Sequence, residues 1–261
     1  MDEVAKPART ETPAIAWDDI ARDAAPHRAA LAKVAESWNH RSKQEHLAVG
    51  AFCQLARELA EEGCEPVVLS LLTRAANDEV RHAEICARMW SALRGERFAL
   101  ARFRGTPVLP TYAEHPPATR ALLHVIETCC LSETFTSIAF TEMLARTTHP
   151  AARAVVQSLL GDEIDHGRVG WAYVAERAKT LDGVSEALPE MFVRAVGAAM
   201  KPADLNPADD DPALERFGYL APRTIADICR RAVHEVVVPG FAHFGVDTSD
   251  ALRALQGRGW E

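Results

Sequence analysis

Basic excess is the first thing this chain lacks: 29 Lys and Arg stand against 37 Asp and Glu, for a formal net charge of −8. Neutralising nucleic-acid phosphates needs the opposite balance, so composition argues against a generic nucleic-acid binder. One local exception, Arg94, Arg97, Arg102 and Arg104 with Phe98 and Phe103 between them, reads as a solvated helix end and linker. No apolar run approaches the roughly 20 residues that span a bilayer. The start, Met-Asp-Glu-Val-Ala-Lys-Pro, has neither a basic n-region nor an apolar h-region, so a cytoplasmic protein is expected. Cysteines number six (Cys53, Cys64, Cys86, Cys129, Cys130 and Cys229), and none form the Cys-x-x-Cys step of a metal knuckle. They read as small hydrophobes, with Cys53, Cys86 and Cys130 on or beside apolar helical faces. Flavin and nicotinamide fingerprints are absent, and strand-type alternation nearly so.

Helical periodicity fills the space those absences leave, and the expected class is all-α. Residues 1–25, with Pro7, Pro13 and mixed charge, look like an arm with little core of its own. The spacing predicts a first long helix from about Pro26 to Glu62, broken at Gly63-Cys64-Glu65-Pro66. A second runs from about Pro66 to Leu93. Gly95 to Pro117 carries six Gly and Pro residues and reads as a long connection. A third helix follows from about Ala118 to Arg146, and a fourth from about Pro150 to Thr180. Two antiparallel helix pairs joined by one long crossover are therefore expected. Residues 26–261 read as a single domain whose C-terminal extension, about 183–261, adds helices near Ser185–Met200, Pro222–Val238 and Ser249–Leu255. A Pro- and Asp-rich loop, Lys201 to Pro212, separates the first two of these.

The most informative pattern occurs twice. Asp78-Glu79-Val80-Arg81-His82 and Asp162-Glu163-Ile164-Asp165-His166 share one Asp-Glu-x-x-His frame. On a helix, positions i and i+3 share a face, so each frame presents a carboxylate and an imidazole together. Both pairs interrupt apolar stripes: Leu72, Ala75, Cys86 and Met89 flank the first, and Val156, Leu159, Gly170 and Tyr173 the second. Mirroring Glu79 through the break near Gly63 lands at Glu45, among Trp38, Ser42, Val49 and Phe52. Mirroring Glu163 through the break near His149 lands at Glu133, among Ile126, Cys130, Ser137 and Leu144, with Glu127 as the alternative one register away.

Buried carboxylates are costly unless they are neutralised, paired or bound to metal. Four Glu and two His from four helices make the ligand set of a dinuclear site, in which carboxylates bridge and balance two cations and an imidazole caps each. Mixed oxygen and nitrogen ligation suits iron, manganese or a mixed pair better than a thiolate zinc site. Asp78, Asp162 and Asp165 are candidates to hold the imidazoles, although their helical positions suggest the surface.

At Glu45, Glu79-x-x-His82, Glu133 and Glu163-x-x-His166, the chain resembles the ferritin-like di-iron carboxylate superfamily, over about Pro26 to Thr180. The resemblance implies a ferritin-like four-helix bundle and two iron ions held by those six residues, with Glu79 and Glu163 bridging. It implies an oxidoreductase, of the oxygenase (monooxygenase) or oxidase type, acting on a small organic substrate with dioxygen or peroxide. An external electron donor is then expected, and a homodimer is compatible. The alternative is an iron-binding or peroxide-detoxifying protein like ferritin or rubrerythrin.

Departures from individual branches narrow this. The rubredoxin cysteines of rubrerythrins are missing, and the C-terminal extension exceeds a storage ferritin. Cys86 stands where the radical subunit of ribonucleotide reductase looks for Tyr. Leu159 stands where the aryl-amine N-oxygenases carry an additional His.

The remaining polar and aromatic residues have ordinary readings. His124 and Glu127 make a His-x-x-Glu step best read as a hydrogen-bonded or surface pair. His40, His46, His234 and His243 show no ligand spacing, and Tyr173, Trp90 and Trp171 read as packing residues.

Overall fold

A computed structural model describes residues 14–98, 109–181, 183–197 and 211–260. They are overwhelmingly helical, with no strand among the described residues, so the all-α expectation holds. None of their helices is long and apolar enough to cross a membrane. The chain divides into two compact units. The first comprises Met1–Leu109, Phe140–Asp162 and Asp211–Leu220; the second comprises Pro110–Ala139, Glu163–Asp210 and Ala221–Glu261.

In the first unit the central feature is a helical hairpin. Helix α2, Ala32–Glu61, lies against α3, Pro66–Arg94. Gly63 closes the turn at φ 70°, with its N–H bonded to Ala60 O and that of Cys64 to Leu59 O. This left-handed Schellman closure is the conformation glycine adopts without a Cβ penalty. Pro66 opens α3, where a missing N–H costs nothing. Ser42 donates its hydroxyl to Ala83 O (2.8 Å) across the hairpin. Trp38, Phe52, Leu55, Leu59, Leu72, Ile85 and Met89 are fully buried. Each such side chain contributes about 1.5–3 kcal/mol relative to exposure.

Part of the segment read as an arm is structured. Helix α1, Trp17–Ala24, packs on α3 and buries Ile20 and Ala24. The two apolar positions lie one helical turn apart, enough to anchor a helix whose other residues are mainly charged. A short 3-10 turn, Ala25–His27, follows, so the first long helix begins at Ala32, later than Pro26. Residues 1–13 lie outside the described residues, as do Arg102, Phe103, Arg104 and residues 201–210 of the expected loop. Arg94 and Arg97 are exposed, as a solvated helix end should be.

The third helix is one run in three parts: α4, Pro117–Val125; a π-helical segment, Ile126–Glu133; and α5, Thr134–Arg146. Helix α6 runs from Pro150 to Glu176, ending a turn before the expected Thr180. After α6 come α7 (Val184–Gly197), the short α8 (Pro212–Glu215), α9 (Pro222–Ala232), a second π segment (Val233–Val237), α10 (Val238–His243) and α11 (Ser249–Gln256).

In the second unit, α7 packs on α11 and on the first π segment. Phe192, Leu188, Ile228 and Phe241 form part of its core. The helix expected to stop before Pro239 continues through it. A π turn precedes that proline and re-spaces the carbonyls, so Pro239, with no N–H to give, enters at the start of α10.

Candidate metal centre

Glu79 and His82 leave α3 on the stripe that also carries Leu72, Ala75, Cys86 and Met89, and all six are buried. His82 Nδ1 lies 3.5 Å from Glu79 Oε2, the i, i+3 contact the frame anticipates. Its other nitrogen, Nε2, lies 3.3 Å from Asp162 Oδ2. An ionised carboxylate only accepts, so Nε2 is the donor in that contact. Glu45, on α2, is 7% exposed and has Arg41 Nη1 at 4.0 Å.

The second frame repeats the first. His166 Nδ1 lies 3.6 Å from Glu163 Oε2 and 3.9 Å from Glu133 Oε2. Glu133 closes the π segment, and all three residues are buried. Gly170, one turn beyond His166, lets the π segment approach α6 closely. A Cβ there would stand 2.4 Å from Cys129 Cβ and 3.0 Å from Cys130 N.

Two groups of buried side chains could hold a metal ion: Glu45, Glu79, His82 and Glu163, and Glu79, Glu133, Glu163 and His166. Within each group, one ligand atom per residue lies within 4.8 Å of all the others. All six residues of the expected ligand set belong to one group or the other, and Glu79 and Glu163 belong to both. Glu127, the alternative to Glu133, belongs to neither. Its Oε1 accepts from Arg194 Nε at 2.7 Å, and its Oε2 from Tyr112 OH at 2.5 Å and Arg194 Nη2 at 3.1 Å.

Asp78 and Asp162, the leading residues of the two frames, are buried at 0% and 1% exposure, so of the two readings open for them burial excludes the surface. Arg81 binds Asp162 and lies 3.5 Å from Asp78, while Arg74 lies 3.4 Å from Asp78 and 3.7 Å from Asp162. Two guanidiniums thus match two carboxylates beside His82. Burial alone would raise the Asp162 carboxyl, but the His82 hydrogen bond and the Arg81 charge hold it below the ordinary carboxylate range. Asp165 is only half-buried and pairs with Arg168 at 3.5 Å. Identical Asp residues in both frames were the available signal for Asp78 and Asp162. Arg74 and Arg81 carried none, since a charged residue on a helix flank reads as solvated.

Tyr112 was not singled out from the sequence at all. It is 7% exposed with φ 42°, a left-handed conformation unusual outside glycine that costs on the order of 1–3 kcal/mol. Burial, and then the Glu127 carboxylate that accepts its hydrogen bond, push its phenol well above the usual tyrosine range, against the Arg194 charge. It therefore stays a donor. His124 and Glu127 are both buried, which excludes the surface reading; His124 Nε2 lies 2.7 Å from Pro110 O, while Glu127 is bonded to Tyr112 and Arg194.

The other residues are ordinary. His40, His234 and His243 are exposed and Tyr173 is a core aromatic. Trp90 and Trp171 hydrogen-bond Glu36 and Thr134, at 3.2 and 3.1 Å. Five of the six free cysteines are buried; Cys53 is exposed, on the outer side of α2. Comparison with family models, curated proteins and solved structures finds no match to this chain.

Proposed function

We propose that the chain is a non-heme dinuclear iron oxidoreductase of the ferritin-like di-iron carboxylate superfamily. In this reading α2, α3, the 117–146 helical run and α6 are the four helices of its bundle, and a small organic compound is the substrate. The observation that carries the proposal is the pair of buried four-residue groups sharing Glu79 and Glu163. Each group brings carboxylate oxygens from three glutamates together with one imidazole nitrogen. Like charges this close in a low-dielectric interior repel by several kcal/mol unless a cation or proton intervenes. No single buried leucine's contribution, about 1.5–3 kcal/mol, offsets that.

The donor set fits the group. It offers carboxylate and imidazole with no thiolate, the ligation of iron or manganese. Glu45, Glu79, His82 and Glu163 would hold one ion, and Glu79, Glu133, Glu163 and His166 the other. Two iron ions so held would supply the electrons and Lewis acidity for activating dioxygen or peroxide, with an external donor completing turnover. The chain's own part is to bind, orient and exclude water. Asp162 fixes the His82 ring through Nε2, so that Nδ1 faces Glu79. The Arg74, Arg81, Asp78 and Asp162 quartet balances its own charge and leaves the glutamates to the cations. Burial of Leu72, Cys86, Met89 and Leu159 keeps bulk water from the same stripes.

The test is dioxygen consumption after anaerobic Fe(II) loading, followed with and without an added chemical reductant. Uptake that stops after a single reaction of about two irons per chain, and resumes with reductant, supports an oxygenase or oxidase. Continued uptake as further Fe(II) is added, with many irons retained, would move the protein to iron storage. No uptake by the loaded protein would overturn the oxidative assignment.

A further inference from the structure

Two buried glutamates share the first π segment: Glu133, which belongs to a candidate metal group, and Glu127, which does not. Both have the chemistry of an iron ligand, and they differ in what surrounds them. Arg194 reaches from α7 and grips Glu127 through Nε at 2.7 Å and Nη2 at 3.1 Å. Tyr112, from the connection before α4, donates to the same carboxylate at 2.5 Å and accepts from Arg194 Nη2 at 2.8 Å. Arg194 also lies over the Tyr112 ring, 5.9 Å from its centroid. Two groups from two other elements thus close on one carboxylate, and each of the three is bonded to the other two. A planar guanidinium fork fixes orientation as well as charge. Tyr112 holds its place in a left-handed backbone conformation, which persists only where surrounding contacts over-determine it.

We propose that Arg194 and Tyr112 are positioning residues of the metal centre: they clamp Glu127 away from the ions and fix the π segment in the register that presents Glu133 to Glu163 and His166. This rests on the metal-centre reading. A π turn carries an extra residue relative to an α turn, so a helix that loses this segment's geometry rotates everything after it. Without the clamp, two registers compete, each offering one glutamate. The clamp selects between them by satisfying Glu127 completely. It also gives the C-terminal extension a task at the site, because Arg194 comes from α7.

Co(II) is the probe, since its visible absorption reports ligand type and geometry. Wild type, Arg194→Met, Tyr112→Phe and Arg194→Met/Glu127→Gln are titrated with Co(II), and folding is checked by circular dichroism. Wild type is expected to bind two ions. Arg194→Met should bind one of them roughly 10–100-fold more weakly, the range found when a group supporting a ligand is removed. Its absorption per bound ion should also change. Tyr112→Phe, which keeps the ion pair, should shift both in the same direction by less, and serves if Arg194→Met does not fold. Removing the Glu127 carboxylate in the double variant should restore the wild-type absorption. Unchanged affinity and absorption in both single variants, with wild type binding two ions, would overturn the clamp. So would a double variant as altered as Arg194→Met, because that effect would be structural. A wild type that takes no Co(II) would instead defeat the metal-centre reading beneath it.

Discussion

Asp162 takes His82 Nε2 on one side and the Arg81 guanidinium on the other, which makes it the residue on which the orientation of one imidazole depends. Asp162→Asn keeps the size and can still accept from Nε2, but it removes the charge that Arg81 answers. The variant is expected to fold and to bind one metal ion roughly 10–100-fold more weakly. Calorimetric titration of both proteins checks this; equal affinity would show that His82 is oriented by packing alone. At this scale the sequence was informative where chemistry and periodicity coincide. Glu79, His82, Glu163 and His166 stand on stripes that are otherwise apolar, and the Glu-x-x-His step ties each pair to one face. It was silent where partners come from distant chain. Tyr112, Glu127 and Arg194 share no period, and only the fold brings them together. Asp78 and Asp162 sit one residue off the stripes, where a carboxylate ordinarily meets water, and arginines from the same unit bury them instead.

Helix α6 shows what whole elements ask of single positions. Its start is capped by His149, whose Nδ1 accepts from Ala152 N at 3.3 Å while Nε2 faces Asp23 Oδ2 at 3.3 Å. Burial, against the Asp23 charge and with help from Arg216, holds the imidazole below its usual 6.5. The folded chain therefore binds this proton less readily than the unfolded one. Its contribution is complete above pH 6.5 and declines as pH falls from there through the lowered folded value. His149→Asn keeps a side chain that caps well but cannot titrate. Denaturant unfolding from pH 8 to pH 5 should show wild type losing stability relative to the variant; parallel curves would contradict the assignment. Further along, the two glycines of α6 should respond oppositely to alanine. Gly170→Ala forces a Cβ against Cys129 and should cost about 1–3 kcal/mol. Gly161→Ala meets nothing within 4 Å and should add about 0.5–1 kcal/mol. Thermal unfolding of the pair decides it, and a stabilising Gly170→Ala would mean that the π segment yields easily. The long helices were legible, because Pro66, Pro117 and Pro150 mark helix starts and Gly63 an end, whereas helix α1, with only Ile20 and Ala24 buried, was not. The π segments were not, since one extra residue in a turn leaves no compositional trace. The same missing trace leaves Glu127 and Glu133 as alternatives in the sequence; in the structure Glu133, not Glu127, falls in a candidate metal group.

For the whole molecule, the proposed centre would link stability to metal binding. Carboxylates grouped this closely repel one another, so cations held there would become part of the folded state. Metal that binds only the folded chain should stabilise it by about 2.7 kcal/mol at a hundredfold excess over the dissociation constant. The net charge of −8 favours attraction of such cations over long range. The all-helical class was readable from the chain alone, and so was the burial of the six candidate residues, because each interrupts an apolar stripe. The partition into two units was not, because Phe140 and Glu163 are boundaries that fall inside the continuous helices α5 and α6. In the proposed centre, Glu45, Glu79, His82, Glu133, Glu163 and His166 would hold two metal ions. Elemental analysis of metal per chain after anaerobic Fe(II) loading and desalting, beside the Glu79→Ala/Glu163→Ala variant, tests it most directly. Wild type should retain about two irons and the folded variant none, since it lacks both glutamates common to the two groups. Equal iron in the two proteins, or none in wild type, would contradict it.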